Sequence, residues 1–273
     1  MPFYVERKKG ECKNNQTKLW RSVEHNYTVI PIELDEENAA NSRPKSGRYL
    51  KFVVLSDTHC KMEEIMDQIP DGDVLVHCGD FTNFGEYDKI SEFNDQLGRL
   101  PHKYKIVIAG NHELGFEDGE DVLRRTPEMQ THGTPRGYKL LTNATYLHDS
   151  SIQIENLKLY GSSWHPLRGY SFHVERGPEM MEKWKQIPKD TDILITHGPP
   201  LGYNDARDPE IFWGDFDLLK IVTARKPKYH LHGHMHEGYG VCSNGETTFI
   251  NSAIADKRGN LARKPIIFYI PLP

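Results

Sequence analysis

Residues 50–59 read Leu-Lys-Phe-Val-Val-Leu-Ser-Asp-Thr-His, a largely apolar run that stops on side chains able to do chemistry. The run from Leu50 to Leu55 has the length of a buried strand and is too short for a core helix. Directly after it come Asp57, Thr58 and His59. Open α/β sheets bind ligands outside the carboxyl ends of their strands, so this is where functional groups are expected. The same pattern recurs along the chain. Asp73–Val76 leads into Gly79-Asp80, and Tyr104–Ala109 into Gly110-Asn111-His112-Glu113. Asp192–Thr196 leads into His197-Gly198, and Tyr229–Leu231 into Gly233-His234-Met235-His236. Each expected strand end delivers Asp, Asn or His onto one face.

Between these runs lie stretches with helical spacing. Glu86–Leu100 places Ile90, Phe93 and Leu97 on one face, and Pro101 ends it. Asp215–Arg225 does the same with Leu218, Leu219 and Val222 before Pro227, and Met180–Ile187 is a shorter candidate. Further strands are expected within 145–160, at Thr247–Ile250 and at Pro265–Ile270. Alternating strands and helices indicate one α/β sandwich with central sheets. Residues 1–48 are polar and irregular, ending in the turn-rich Asn41–Gly47. They read as an N-terminal extension lying over a single domain that spans 49–273.

Composition narrows the class. Of 273 residues, 37% are hydrophobic and 27% charged, which suits a soluble globular chain. The net charge is -5, and Lys and Arg are dispersed. The short Arg7–Lys9 and Arg258–Lys264 patches read as solvated surface, so a nucleic-acid duplex is not an expected partner. No window approaches the roughly 20 apolar residues that span a bilayer, and no membrane partner is expected. The first residues carry charges where a signal peptide needs an apolar stretch, which points to a cytoplasmic protein. Cys12, Cys60, Cys78 and Cys242 are scattered and read as reduced thiols. The sequons at Asn15, Asn26 and Asn143 then read as chance matches.

The residue types at the strand ends are those of a metal centre. Carboxylate, amide oxygen and imidazole suit Mn, Fe or Zn, and the lack of thiolates disfavours a structural zinc site. In Asp57-x-His59 and His234-x-His236, alternate residues of an extended segment project to the same side. The neighbouring glycines let backbone and ligand approach without a Cβ between them. Each motif alone is commonplace, since a lone Gly-Asp is usually a turn. In this order, each at a strand end, they read as one site. His25, His77, His102, His132, His148, His173, His230 and His232 read as surface or core residues.

Asp57-x-His59, Gly79-Asp80, Gly110-Asn111-His112-Glu113, His197 and Gly233-His234-x-His236 together resemble the calcineurin-like metallophosphoesterase superfamily. The resemblance spans about residues 49–270. His197–Gly202, His236–Gly240 and Ile250-Asn251-Ser252 are similar to the metallophosphoesterase domain-containing, brain-type branch, itself similar to class III cyclic nucleotide phosphodiesterases. The resemblance implies a four-layer α/β/β/α sandwich, with two central mixed β-sheets flanked by helices. It implies two divalent metal ions, Mn first and Fe or Zn next. Asp57, His59 and His236 would hold one, Asn111, His197 and His234 the other, and Asp80 both. Ions bridged in this way sit about 3.5–4 Å apart and share a hydroxide that attacks phosphorus. His112 would be the catalytic residue at the leaving oxygen, close to Asn111 and the phosphate. Protein phosphatases of the superfamily carry an acidic residue three positions after the bridging Asp. Here that position is Asn83, and an amide stabilises an imidazolium less than a carboxylate does.

The resemblance further implies a small phosphodiester or nucleotide substrate, with 2′,3′- or 3′,5′-cyclic nucleotides first. Alternatives are a phosphomonoesterase or protein phosphatase, or a non-catalytic scaffold with this fold. Trp164, in Gly161–Pro166, is a candidate for stacking on a base, against the equal reading that it packs in the core. Asn251 is a candidate for holding base or ribose, by analogy with the branch alone.

Overall fold

Alternate residues of the strand that begins at Tyr49 face two different cores, and this sets the architecture. Phe52 and Val54 point into one buried cluster, Val53 and Leu55 into another. A period of two that is apolar on both sides marks a strand covered on both faces. The computed structural model describes residues 13–208 and 211–273, so the Arg7–Lys9 patch and Cys12 lie outside the described residues.

In chain order the first elements are α1 (Lys13–Val23), β1 (Ile30–Ile32), β2 (Tyr49–Leu55), β3 (Val74–His77), α2 (Tyr87–Arg99) and β4 (Tyr104–Val107). Next come β5 (Thr145–Tyr146), β6 (Ser150–Ile154), β7 (Leu157–Ser162), α3 (Pro178–Trp184) and β8 (Ile193–Thr196). The rest are β9 (Ala206–Asp208), β10 (Ile211–Phe212), α4 (Phe216–Arg225), β11 (Tyr229–His232), β12 (Gly240–Ser243), β13 (Thr248–Asn251) and β14 (Ile266–Pro271). A five-stranded sheet has the order β14-β2-β3-β4-β5, parallel except for β14. A seven-stranded sheet has the order β1-β12-β13-β11-β8-β7-β6, with β13, β11, β8 and β7 parallel in its middle.

The two sheets pack face to face. Phe52, Val54, Val76, Ile106 and Phe268 of one meet Leu159, Ile193, Ile195, Leu231 and Ile250 of the other in a single cluster. Phe52 stacks on Phe268 with centroids 4.7 Å apart, fastening β14 to β2. On the outer faces, α2 contributes Ile90, Phe93 and Leu97, while α3 and α4 contribute Met180, Trp184, Leu218, Leu219 and Val222. Trp184 Nε1 donates to Asp215 Oδ1, 3.0 Å, and the same carboxylate caps α4 by accepting from the Leu218 amide, 2.7 Å. The result is the four-layer α/β/β/α sandwich with two central mixed sheets. Among the described residues no helix is long and apolar enough to cross a membrane. Cys60, Cys78 and Cys242 are free thiols.

From Lys13 onward the expected extension packs on the domain. Trp20 is buried among Tyr27, Tyr203 and Phe212, with centroids 5.7, 6.4 and 5.8 Å away. β1 pairs antiparallel with β12, and Asn41 exchanges hydrogen bonds with the Tyr269 backbone on β14, 2.9 and 2.8 Å. The stretch before residue 49 therefore touches both sheets. Truncating Trp20 to Ala should cost about 3–5 kcal/mol, as for other buried Trp. Urea unfolding measures this, and an unchanged midpoint would show that α1 adds nothing to stability.

Candidate metal centre

All the expected ligands meet at one end of the two sheets. Asp57 and His59 follow β2, Asp80 follows β3, and Asn111 and His112 follow β4. His197 follows β8, while His234 and His236 follow β11. The donor atoms of Asp57, His59 and His236 lie within 4.8 Å of one another, as do those of Asp80, His197 and His234. A third such group joins His59, Asp80 and His112, so Asp80 stands between the two ends of the cluster. Asn111 Oδ1 lies 3.1 Å from His197 Nε2.

The histidines are oriented by backbone carbonyls. His197 Nδ1 donates to Cys78 O at 2.8 Å, and His236 Nδ1 to Asp256 O at 3.0 Å. His112 Nδ1 donates to Asn83 O at 2.6 Å. Each donation fixes the tautomer and leaves Nε2 with its lone pair or exchangeable proton. His197 Nε2 then sits 3.2 Å from Asp80 Oδ2, and His236 Nε2 3.3 Å from Asp57 Oδ1. The carboxylates are held in turn by loop amides. His234 N–H donates to Asp57 Oδ2 and His112 N–H to Asp80 Oδ1, both at 2.9 Å.

This geometry carries strain. Asp57, His59, Asp80 and His234 all have positive φ, from 44° to 65°. Residues with a Cβ reach that region at a cost, of order 1–3 kcal/mol each, and such residues gather at functional sites. Two glycines let the loops close. A Cβ on Gly110 would strike Asp80 Oδ1, and one on Gly233 would strike Ser56 Oγ and Asp57 Oδ2. Either collision would displace a carboxylate.

The electrostatics are those of a cation site. Burial disfavours charge on Asp57 and Asp80, yet the facing histidines hold both carboxyls well below the usual range. Burial alone would lower His197, but Asp80 beside it raises it to about 9. Burial, with His112 close by, pushes His59 down to about 4, and burial with His197 close by pushes His234 to about 3. Asp57 Oδ1 is fully buried and has no hydrogen-bond partner among the described residues. A buried carboxylate oxygen without a hydrogen-bond partner, set among imidazoles and an amide oxygen, fits hard or borderline divalent ions.

Two expected site residues are placed elsewhere. Trp164 is 7% exposed, donates from Nε1 to Asp149 Oδ2 at 2.7 Å, and packs on His148 and Phe172. Its ring face also carries Lys183 Nζ, 3.7 Å from the centroid, which corrects the base-stacking expectation in favour of packing. Asn251 is fully buried. Its amide donates to Asn204 O and Met235 O, 3.0 and 2.8 Å, and its oxygen accepts from Ala253 N–H at 3.1 Å. These backbone bonds tie Asn251 to the loops around His236.

Other contributors were not assigned from sequence. Glu113 is buried and accepts from Asp80 N, Thr82 N, Thr82 Oγ1 and Gly110 N at 2.6–2.9 Å. Burial and the nearby Asp80 charge push it up to about 7. A carboxylate set in a turn rich in unpaired amides was the available signal. His77 and His230, read as surface or core residues, are buried and pair with the Thr58 and Thr196 hydroxyls at 3.0 and 2.8 Å. Those threonines sit beside the candidate ligands Asp57, His59 and His197.

Two outcomes test the assembly. Asp80→Ala should abolish binding of both ions together, read by elemental analysis after Mn²⁺ loading; two retained ions would contradict the shared role of Asp80. Glu113→Gln turns an acceptor oxygen into an NH₂ facing amide donors. A loss of about 1–3 kcal/mol is expected for the unsatisfied buried groups, with weaker metal retention. Wild-type unfolding and metal content would remove Glu113 from the account.

Comparison with known proteins agrees with this geometry. The family model described as calcineurin-like phosphoesterase matches residues 50–238. A Caenorhabditis elegans UPF0046 protein is 51% identical over 269 residues, covering 96% of this chain and 92% of its own. Human metallophosphoesterase domain-containing protein 1 is 40% identical over 242 residues, covering 84% of this chain and 74% of its own. A solved structure superposes on 76% of this chain and 91% of its own with TM-score 0.54 at 16% identity, a likeness of fold alone. With the matched family model spanning every strand end that carries a candidate ligand, this chain belongs to the calcineurin-like metallophosphoesterase family.

Proposed function

We propose that this protein is a dinuclear metal-dependent phosphodiesterase acting on small phosphodiesters, with cyclic nucleotides first among them. The observation that carries the reading is the joint placement of the seven ligand side chains with His112. Asp57, His59 and His236 would hold one ion, Asn111, His197 and His234 the other, and Asp80 both. When bound, the ions supply Lewis acidity toward phosphoryl oxygens and lower the pKa of water at neutral pH.

The chain's own part centres on His112. It is half-buried, its Nδ1–H is fixed by the Asn83 carbonyl, and its amide holds Asp80. Nε2 is therefore the nitrogen left for an ester, and it donates to the leaving oxygen when the ring carries its second proton. Backbone replaces the side-chain carboxylate that the superfamily's protein phosphatases place at the Asn83 position. A neutral carbonyl orients the ring as a carboxylate would, but stabilises an imidazolium less. That difference supports a diester substrate over a protein-phosphatase role.

The test is a comparison of bis(p-nitrophenyl) phosphate with p-nitrophenyl phosphate on protein stripped and reloaded with Mn²⁺. Diester cleavage should dominate. His112→Ala should keep both ions and lose about 10²–10⁴-fold in kcat, the range for a lost acid–base group. Preference for the monoester would overturn the diester reading. Inactivity on both, with two ions bound, would leave a metal-binding scaffold.

A further inference from the structure

His77 on β3 and His230 on β11 occupy matching places in the two central sheets. Their strand neighbours Val76 and Leu231 point into the seam between the sheets, so both imidazoles point to the outer faces. Both are fully buried there. His77 lies edge-on to Phe81 and Phe93, with centroids 5.8 and 5.1 Å away. His230 lies against Phe249 at 5.9 Å and His232 at 5.4 Å. Neither belongs to any group of side chains that could hold an ion together. An apolar ring or Leu would suit these surroundings better than an imidazole does.

What each imidazole supplies is one hydrogen bond to a chain leaving the neighbouring strand. His77 Nε2 lies 3.0 Å from Thr58 Oγ1, on the loop after β2. His230 Nε2 lies 2.8 Å from Oγ1 of Thr196, the last residue of β8. Burial keeps both rings neutral, pushing His77 down to about 3 and His230 well below the usual range. Each ring therefore has a single proton to place. Nδ1 of each has no partner among the described residues, and a proton there would be a buried donor without an acceptor. The proton belongs on Nε2, and each histidine donates to its threonine. Thr196 agrees, because its own hydroxyl donates to Gly198 O at 2.7 Å, across His197. Thr58 lies in a loop where Asp57, His59 and Cys60 have φ of 59°, 44° and 62°, a region that residues with a Cβ reach at a cost. Its buried hydroxyl anchors that loop to β3.

We infer that His77 and His230 are positioning residues of the metal centre, each serving a different ion. His77 acts through Thr58 on the ion that Asp57, His59 and His236 would hold. His230 acts through Thr196 on the ion that Asn111, His197 and His234 would hold. This deepens the dinuclear reading and rests on its ligand assignment. The division follows from the chain: Thr58 stands between Asp57 and His59, and Thr196 directly precedes His197. Groups that orient ligands without touching the metal set how well the ligands fit it.

The experiment titrates the stripped full chain with Mn²⁺ by calorimetry and counts retained ions by elemental analysis after desalting. Thr58→Val and Thr196→Val remove the hydroxyls while leaving β3 and β11, which lead to Asp80 and His234, as they are. Each should weaken one of the two binding steps about 10-fold, the lower end of the range for groups that orient ligands, and spare the other. The double Val variant should weaken both steps, since the two act on different ions. His77→Leu and His230→Leu should each reproduce the Val variant of its own pair and add nothing to it, the non-additivity of a single interaction. His77→Gln and His230→Gln, which keep an N–H donor at the end of the side chain, should bind as the wild type does. Unchanged titrations, loss of both ions from a single Val variant, or a double variant no weaker than one single would overturn the role. With two ions held by the wild type, such results end the positioning role alone. Fewer than two ions in the wild type would overturn the ligand assignment and the positioning role together.

Discussion

The carboxylate of Glu113 is the constraint on which the site depends. β3 and β4 are parallel neighbours, so their ends bring Gly79-Asp80 and Gly110-Asn111 side by side. Both loops leave the ladder with amides that no strand can satisfy, and a buried orphan amide costs about 1–3 kcal/mol. Glu113 accepts from amides on both loops and from the Thr82 hydroxyl. Through those bonds it determines where Asp80 stands, and Asp80 is the group nearest to both halves of the ligand set. The same burial that makes these bonds strong pushes Glu113 up to about 7, because Asp80 lies close by. Two carboxylates packed so closely are a loaded arrangement, and cationic charge on the far side of Asp80 relieves it.

The seam between the two sheets supplies the second constraint. Asp57, His59, Asp80, Asn111 and His112 come from the five-stranded sheet, and His197, His234 and His236 from the seven-stranded one. No single sheet holds a full set for either expected ion, so the packing of Phe52, Val54 and Ile106 against Ile195, Leu231 and Ile250 sets the ligand geometry at a distance. Ser56 bridges to Ala253, and Gly233 passes against Ser56 and Asp57 with no room for a Cβ. At that crossing the loops of the two sheets interlock. Close-packed interiors transmit small shifts, so a core substitution that tilts one sheet would reach the ligands without touching them.

Much of this was legible in the sequence because strands and ligands share one signal. A short β-branched run that ends on Asp, Asn or His announces both the strand and the edge where its chemistry lies, and Leu50–His59 shows both at once. The helix at Tyr87–Arg99 was as clear, since its apolar spacing matches one face. What stayed hidden depends on long-range placement. Trp164 follows a strand as the ligands do, but its direction is decided by Asp149, whose carboxylate takes its Nε1–H. Asn251 ends β13 with ligand-like chemistry and spends it on the backbone of Asn204 and Met235, which no local pattern foretells. At Asn83 the residue type shows only that a carboxylate is absent; the group that holds His112 is the main-chain carbonyl, and every residue has one.

That last point bears on how the site balances charge. Three histidines, His112, His197 and His236, are fixed through Nδ1 by neutral carbonyls of Asn83, Cys78 and Asp256. Carboxylates in those places would add negative charge around the cluster and raise the basicity of every ring. With carbonyls, the anionic charge of the ligand set is confined to Asp57 and Asp80, facing the ligand histidines. Ions bound there would keep more of their positive charge uncompensated, which would favour an anionic ester over a neutral one.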